Sequence, residues 1–280
     1  MQEELNVFIE RALHEDIREG DHTSLACIPS DTLGKAQLLV KEAGVLAGME
    51  LAERIFQKVD QRIVMQPFLK DGEAISIGDI AFSVSGPSVS LLTAERLVLN
   101  CMQRMSGIAT KTSEIIKLLS GTKAQVLDTR KTTPGIRLLE KWAVKIGGGS
   151  NHRFGLYDMM MIKDNHIDFA GGIAPAIQKA NAYQKANGLT LKIEVEARNL
   201  SEVKAILAVG NIHRIMLDNF SFEDTRTAVQ LIDGAYETEA SGGITEATIR
   251  QHAECGVDYI SAGALTHSVS SLDLSLKAVE

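Results

Sequence analysis

Glu237 to Leu265 reads ETEASGGITEATIRQHAECGVDYISAGAL, and the order of residue types in it decides the fold. ETEAS is a short strand pattern that runs into two glycines. TEATIRQHAEC has helical spacing, and DYISAG is a second strand that again ends on glycine. A strand, a tight turn, a helix and a second strand make a parallel βα unit. Upstream, AQVLD, DMMMIK, KIEVE and RIMLD repeat the strand pattern at intervals of about 20 to 35 residues, most of them separated by helical or loop segments. Every one of these strands is followed by a polar or glycine residue: Asp128-Thr129-Arg130-Lys131, Lys163, Glu196, Asp218, Ser241-Gly242-Gly243 and Gly263. A β/α barrel needs this pattern, because its site is assembled at the carboxyl ends of all its strands. An open doubly wound sheet would place polar residues mainly at one switch point. The sequence therefore predicts a parallel α/β barrel over residues 109–280.

Residues 1–108 have a different character and are expected to form a smaller α/β domain. GKAQLLVKEAG, RIVMQPF and IAFSVSGP predict strands, and MELAERIFQKV predicts an amphipathic helix. A long helical pattern then begins near Ser90, with a break or kink expected at Ser106-Gly107 because glycine weakens a helix interior. The final segment, SVSSLDLSLKAVE, is expected to be a closing amphipathic helix over about residues 269–280. That helix is expected to pack back on the N-terminal domain.

With 280 residues, 45% apolar and 23% charged, the chain has an ordinary globular composition and can bury a large core. A net charge of −7 argues against nonspecific binding to nucleic acid or to an anionic membrane surface. The acidic start lacks the pattern of a signal peptide, and no apolar stretch is long enough to span a bilayer. Cys27, Cys101 and Cys255 are odd in number and far apart, which fits reduced thiols in the cytoplasm and gives no zinc spacing.

Against this acidic background, Asp128 to His166 holds seven Lys/Arg and four acids. Arg130, Lys131 and Lys163 sit where apolar runs end, and Arg153 follows a glycine-rich loop. Cations held at strand ends and loop starts point to a polyanionic ligand. Ser241-Gly242-Gly243 and Gly263 lie at two consecutive strand ends, where small residues let backbone N–H groups approach a phosphate; two tight turns without a ligand would look the same. Glu196 and Asp218 are hard oxygen donors at successive strand ends and suit Mg²⁺, or else ion pairs with neighbouring cations. Glu194 shares a face with Glu196 and is expected to pair with a lysine. Lys163 could act as a Schiff-base nucleophile or as a fixed charge for an anion. His152 is open to a binding role or to that of a satisfied structural histidine.

Together, TRKTTPGIRLLEKWAV, GGGSNHRFGLYDMMMIKDNHI, EVEA, IMLDN, EASGGIT and DYISAGALTHS resemble the quinolinate phosphoribosyltransferases, from about Glu15 to the C-terminus. The resemblance implies an N-terminal α/β sandwich, an incomplete seven-stranded α/β barrel and a homodimer or larger homo-oligomer with shared sites. It also implies a reaction of de novo NAD biosynthesis: quinolinate and phosphoribosyl pyrophosphate, with Mg²⁺ and no organic cofactor, give nicotinate mononucleotide, pyrophosphate and CO₂. Carried over by motif, Arg130, His152, Arg153 and Lys163 line the quinolinate carboxylates, Lys131 and Lys163 neighbour the ribose-pyrophosphate, and Thr129 is a further expected substrate-binding residue. Glu196 and Asp218 lie near the ribose hydroxyls and the metal. Lys131, Lys163, Glu196 and Asp218 are the expected catalytic residues. Ser241, Gly242, Gly243, Gly263 and His267 form the expected 5′-phosphate cradle, and Arg96 is expected to reach the neighbouring subunit's quinolinate. Rival readings are a paralogous phosphoribosyltransferase with another acceptor, a Schiff-base aldolase barrel using Lys163, and a non-catalytic phosphate-sensing barrel.

Overall fold

The computed structural model describes residues 2–279. Twelve strands run along them. They are β1 (Leu33–Val40), β2 (Gly44–Val45), β3 (Val64–Pro67), β4 (Ala74–Ile75), β5 (Ile80–Pro87), β6 (Gln125–Leu127), β7 (Met159–Ile162), β8 (Lys192–Ala197), β9 (Arg214–Asp218), β10 (Glu237–Ser241), β11 (Tyr259–Ser261) and β12 (Leu274–Val279). The chain divides into two compact units. One holds residues 1–113, 132–148 and 265–280, and the other holds 114–131 and 149–264. Residues 132–148, with the helix Arg137–Ile146, and the C-terminal segment belong with the N-terminal residues.

In the first unit, β12, β1, β5 and β3 form an antiparallel sheet in that order. The helix Met49–Val59 buries Met49, Leu51, Ala52, Ile55 and Phe56, a stripe at helical spacing. Phe56 meets Phe82 of β5 edge to face, with ring centroids 6.0 Å apart. Two expectations fail here. The C-terminal segment is a strand and not a helix: β12 pairs antiparallel with β1 from Lys35↔Val279 to Val40↔Leu274. Its physical reason is period-two burial, since Leu272, Leu274 and Leu276 are buried while Ser275 and Lys277 alternate with them. Nor does the helix Ser88–Leu118 break at Ser106-Gly107. A Cβ on Gly107 would lie 2.1 Å from the carbonyl oxygen of Ser270. This glycine lets the C-terminal segment lie against the helix, where Leu272 N–H donates to the Gln103 carbonyl at 3.0 Å.

The second unit is a parallel sheet with the order β6-β11-β10-β9-β8-β7. That order is cyclic, because the first strand in sequence pairs with the last, Tyr259↔Gln125 through Ser261↔Leu127. An open doubly wound sheet has no such closure. The seventh strand is reduced to one parallel bridge, Leu127↔Ser150, on the free side of β6. Among the described residues no ladder joins Ser150 to β7, so the barrel has a seam there. Helices Ile173–Asn187, Leu200–Val209, Phe222–Ile232 and Glu246–Glu254 connect successive strands. Two start on the expected caps: the Asn199 side chain accepts from Glu202 N–H, and Ser221 accepts from Asp224 N–H. Because all the strands are parallel, Asp128 to Lys131, Lys163, Asp218, Ser241 and Gly263 follow strand ends on one face.

Gly107→Ala tests the close approach in the first unit. The substitution gains about 1 kcal/mol of helix propensity, but overpacking against a backbone carbonyl costs about 1–3 kcal/mol. The melting temperature is expected to fall, and a rise would show that the Ser270 segment moves aside without cost.

Candidate active site

At the end of β6, Asp128 is fully buried, and its Oδ1 accepts the backbone N–H of His152 at 2.8 Å. Beyond it, the Thr129 hydroxyl accepts the N–H of Lys131 at 3.0 Å and turns the chain, leaving Lys131 exposed and Arg130 half-buried. Arg153 is half-buried too, with one guanidinium nitrogen donating to the Met159 carbonyl at 3.2 Å. Burial lowers the Arg153 pKa, and the charge of Arg130 lowers it further. Half-buried guanidinium groups of this kind suit an anionic ligand.

Opposite charge is supplied from β8 and β9. Lys163, after β7, donates from Nζ to Oε2 of the buried Glu196 at 2.9 Å. Asp218 ends β9 and accepts from the Asn219 side chain at 2.7 Å. In register, Ser241 lies beside Asp218, and the Asn219 N–H donates to the Ser241 carbonyl at 2.9 Å. The next residue, Gly242, has φ +93°, and a Cβ there would lie 2.2 Å from the Asn219 amide oxygen. Glycine is thus required by both conformation and space. Gly243 and Gly263 follow the ends of β10 and β11. The barrel unit therefore carries Thr129, Arg130, Lys131, His152, Arg153, Lys163, Glu196, Asp218, Ser241, Gly242, Gly243 and Gly263. Arg96 and His267 are exposed and belong to the first unit.

His152 is placed differently from a residue aimed at a ligand. Its Nδ1 accepts the Arg153 N–H at 2.6 Å. Its Nε2 lies 2.9 Å from Glu194 Oε2 and 3.4 Å from Glu239 Oε2. Glu194 therefore faces a histidine, where a lysine was expected. Arg214 of β9 pairs with Glu239 at 2.8 Å and with Glu237 at 3.0 Å, and its guanidinium carbon stands 4.0 Å from the centre of the Tyr259 ring. Side chains from β8, β9, β10 and β11 converge here, so the barrel interior is an ion cluster where the usual filling is branched aliphatic side chains. Burial raises the Glu194 pKa and the charge of Glu239 adds to this, to about 7. The two carboxylates favour a proton on Nε2, and acceptance of the Arg153 N–H fixes Nδ1 as the unprotonated nitrogen.

Glu239 and Arg214 were not singled out as functional residues from the sequence. The alternation in ETEAS and RIMLD places them on the face that carries Ser241 and Asp218, which is the signal that could have found them. Among the described residues, His152, Glu194 and Glu239 also form the one group of three or more His, Cys, Asp or Glu side chains close enough together to hold a metal ion. Arg214 already occupies Glu239, which makes an ion-pair network the better account. Glu196 and Asp218 offer hard oxygen donors on adjacent strands, and the pairing of Glu196 with Lys163 leaves a small donor set. A small set fits Mg²⁺, which binds a few carboxylates together with substrate oxygens.

Comparison with known proteins agrees with this arrangement. Residues 21–106 match the family model for the N-terminal domain of quinolinate phosphoribosyl transferase, and residues 108–277 match that for its C-terminal domain. A mitochondrial quinolinate phosphoribosyltransferase (decarboxylating) of Nicotiana tabacum is 45% identical, over 98% of this chain and 82% of that protein. A probable nicotinate-nucleotide pyrophosphorylase (carboxylating) of Bacillus subtilis is 42% identical, over 94% of this chain and 89% of that protein. The crystal structure of NadC from Streptococcus pyogenes superposes with a TM-score of 0.93 at 39% identity, covering 100% of this chain and 99% of that one. Both domain models in their order, relatives above 40% identity along nearly the whole chain, and the cation pair at the barrel's strand ends lead to one conclusion: this chain belongs to the quinolinate phosphoribosyltransferase family.

Proposed function

We propose that the protein transfers the phosphoribosyl group of phosphoribosyl pyrophosphate to the ring nitrogen of quinolinate and releases the 2-carboxylate as CO₂, giving nicotinate mononucleotide and pyrophosphate. The observation that carries this reading is the placing of Arg130, Lys131 and Lys163 after strand ends on one face of the barrel unit, which also carries the half-buried Arg153. Two adjacent carboxylates on a pyridine call for several cations, and a neutral acceptor would not. Thr129 sets the turn that presents Arg130 and Lys131.

The residues divide the labour by charge. Arg130 and Arg153 hold the carboxylates of quinolinate, and Lys163 stands beside them with its ammonium steadied by Glu196. Lys131, exposed at the strand end, neutralises the departing pyrophosphate. As that group leaves, the ribose becomes oxocarbenium-like, and Glu196 and Asp218 stabilise its positive charge. Ser241, Gly242, Gly243 and Gly263 offer short side chains and backbone N–H groups to the 5′-phosphate, with His267 as a further candidate. Mg²⁺, held by Asp218 and Glu196 together with substrate oxygens, would add charge neutralisation at the pyrophosphate. Bond formation makes the ring nitrogen a pyridinium, which accepts the electron pair released as CO₂ departs. No protein nucleophile and no organic cofactor are needed in this scheme. Lys163 is ion-paired and 44% exposed, a poor setting for the desolvated amine of a Schiff-base aldolase.

Arg96 is exposed on the helix Ser88–Leu118, and the same proposal assigns it to a second subunit's quinolinate in a homodimer. A cytoplasmic location is also part of the proposal. It rests on three free cysteines, two of them buried, which suit a reducing compartment. Among the described residues no helix is long and apolar enough to cross a membrane.

Incubation with quinolinate, phosphoribosyl pyrophosphate and Mg²⁺ should yield nicotinate mononucleotide and CO₂ in equal amounts. Turnover of nicotinate without turnover of quinolinate would overturn the proposal. Lys131→Ala should raise KM for phosphoribosyl pyrophosphate by about tenfold or more, the worth of one charge-assisted contact, with KM for quinolinate little changed; the reverse pattern would remove Lys131 from the pyrophosphate side. Arg96→Ala and Arg153→Ala should each be weakly active alone, and mixing the two after subunit exchange should recover activity. No recovery would place Arg96 outside a shared site.

A further inference from the structure

Glu194 presents a puzzle of energy. Its side chain is fully buried, and neither carboxylate oxygen makes a hydrogen bond of good geometry; the nearest partner is His152 Nε2, 2.9 Å from Oε2. Burying a carboxylate costs stability unless it is paired, and here the His152 ring and the nearby charge of Arg214 are what offset that cost. Its neighbour Glu239 differs, because it also pairs with Arg214.

What Glu194 touches leads directly to the substrate side. His152 stands between the buried carboxylates on one edge of its ring and the N–H of Arg153, 2.6 Å from Nδ1, on the other. The same short segment is fixed by the Asp128 bond to His152 N–H and by the Leu127↔Ser150 bridge. It runs along the seam where a seventh strand would otherwise give ladder hydrogen bonds. With no ladder there, the direction in which Arg153 leaves the backbone depends on these few contacts.

We infer that Glu194 is a positioning residue: with Glu239 it holds the His152 ring from inside the barrel, and the ring fixes the backbone of Arg153 so that its guanidinium meets the dicarboxylate. This rests on the proposed function and adds a residue to it. The role calls for a hydrogen-bond acceptor at position 194, so glutamine serves and an apolar side chain does not.

Steady-state kinetics and melting temperatures of wild type, Glu194→Leu and Glu194→Gln test the relay. Glu194→Leu is expected to melt below the wild-type temperature, because it leaves the buried His152 ring without its partner, to show a KM for quinolinate raised roughly tenfold, and to keep KM for phosphoribosyl pyrophosphate. Glu194→Gln should return KM for quinolinate to within about twofold of wild type. A structural role alone predicts that both KM values move together or that neither moves, so a nonselective change overturns the inference, as does a leucine variant that does not fold, an unchanged KM for quinolinate or a glutamine variant no better than leucine. Wild type without quinolinate turnover would instead sink the proposed function, so the two failures are distinguishable.

Discussion

Like charges brought together at one end of the barrel are the constraint on which the rest of this structure depends. Arg130 and Arg153 are near enough for one to depress the pKa of the other, and Lys131 and Lys163 follow strand ends on the same face. Such a cluster is unfavourable without substrate, and the fold holds it by other means. Residues 129 to 131 are turned by a side-chain hydrogen bond, Lys163 is tied to Glu196, and Arg153 hangs from a segment pinned at Ser150, His152 and its own N–H.

The barrel interior serves that end. Its strands place Glu194, Arg214, Glu237, Glu239 and Tyr259 against one another, with Glu196 and Ser241 two residues beyond Glu194 and Glu239, and Asp218 four residues beyond Arg214, on the same strands. Period two links the layers: the residues proposed to meet substrate stand on the same strand faces as those of the buried ion cluster. A wholly aliphatic interior would be more stable, but it would give His152 nothing to lean on.

The barrel was legible because parallel strands buried on both faces read as short apolar runs, each followed by a polar or glycine residue. The cations of Asp128 to His166 were legible because they sit at those ends within an acidic chain. Other features were hidden by their dependence on distant partners. Leu272, Leu274 and Leu276 suit a strand edge once β1 is there to receive it, yet SLDLSLKAV alone reads equally as a helix. Gly107 reads as a helix breaker until Ser270 is seen against it. Glu239 and Arg214 look like ordinary strand residues until four strands bring them together, and the two ring contacts of His152 cannot be read from its neighbours in sequence.

The central claim is that the cation pair at the barrel's strand ends exists to hold a dicarboxylate. Equilibrium binding of quinolinate to wild type and to Arg153→Ala, at fixed ionic strength, tests it most directly. Loss of a guanidinium bound to a carboxylate should weaken binding by about tenfold to a hundredfold, the worth of roughly 1.5–3 kcal/mol. Equal affinity in the two proteins would contradict the account.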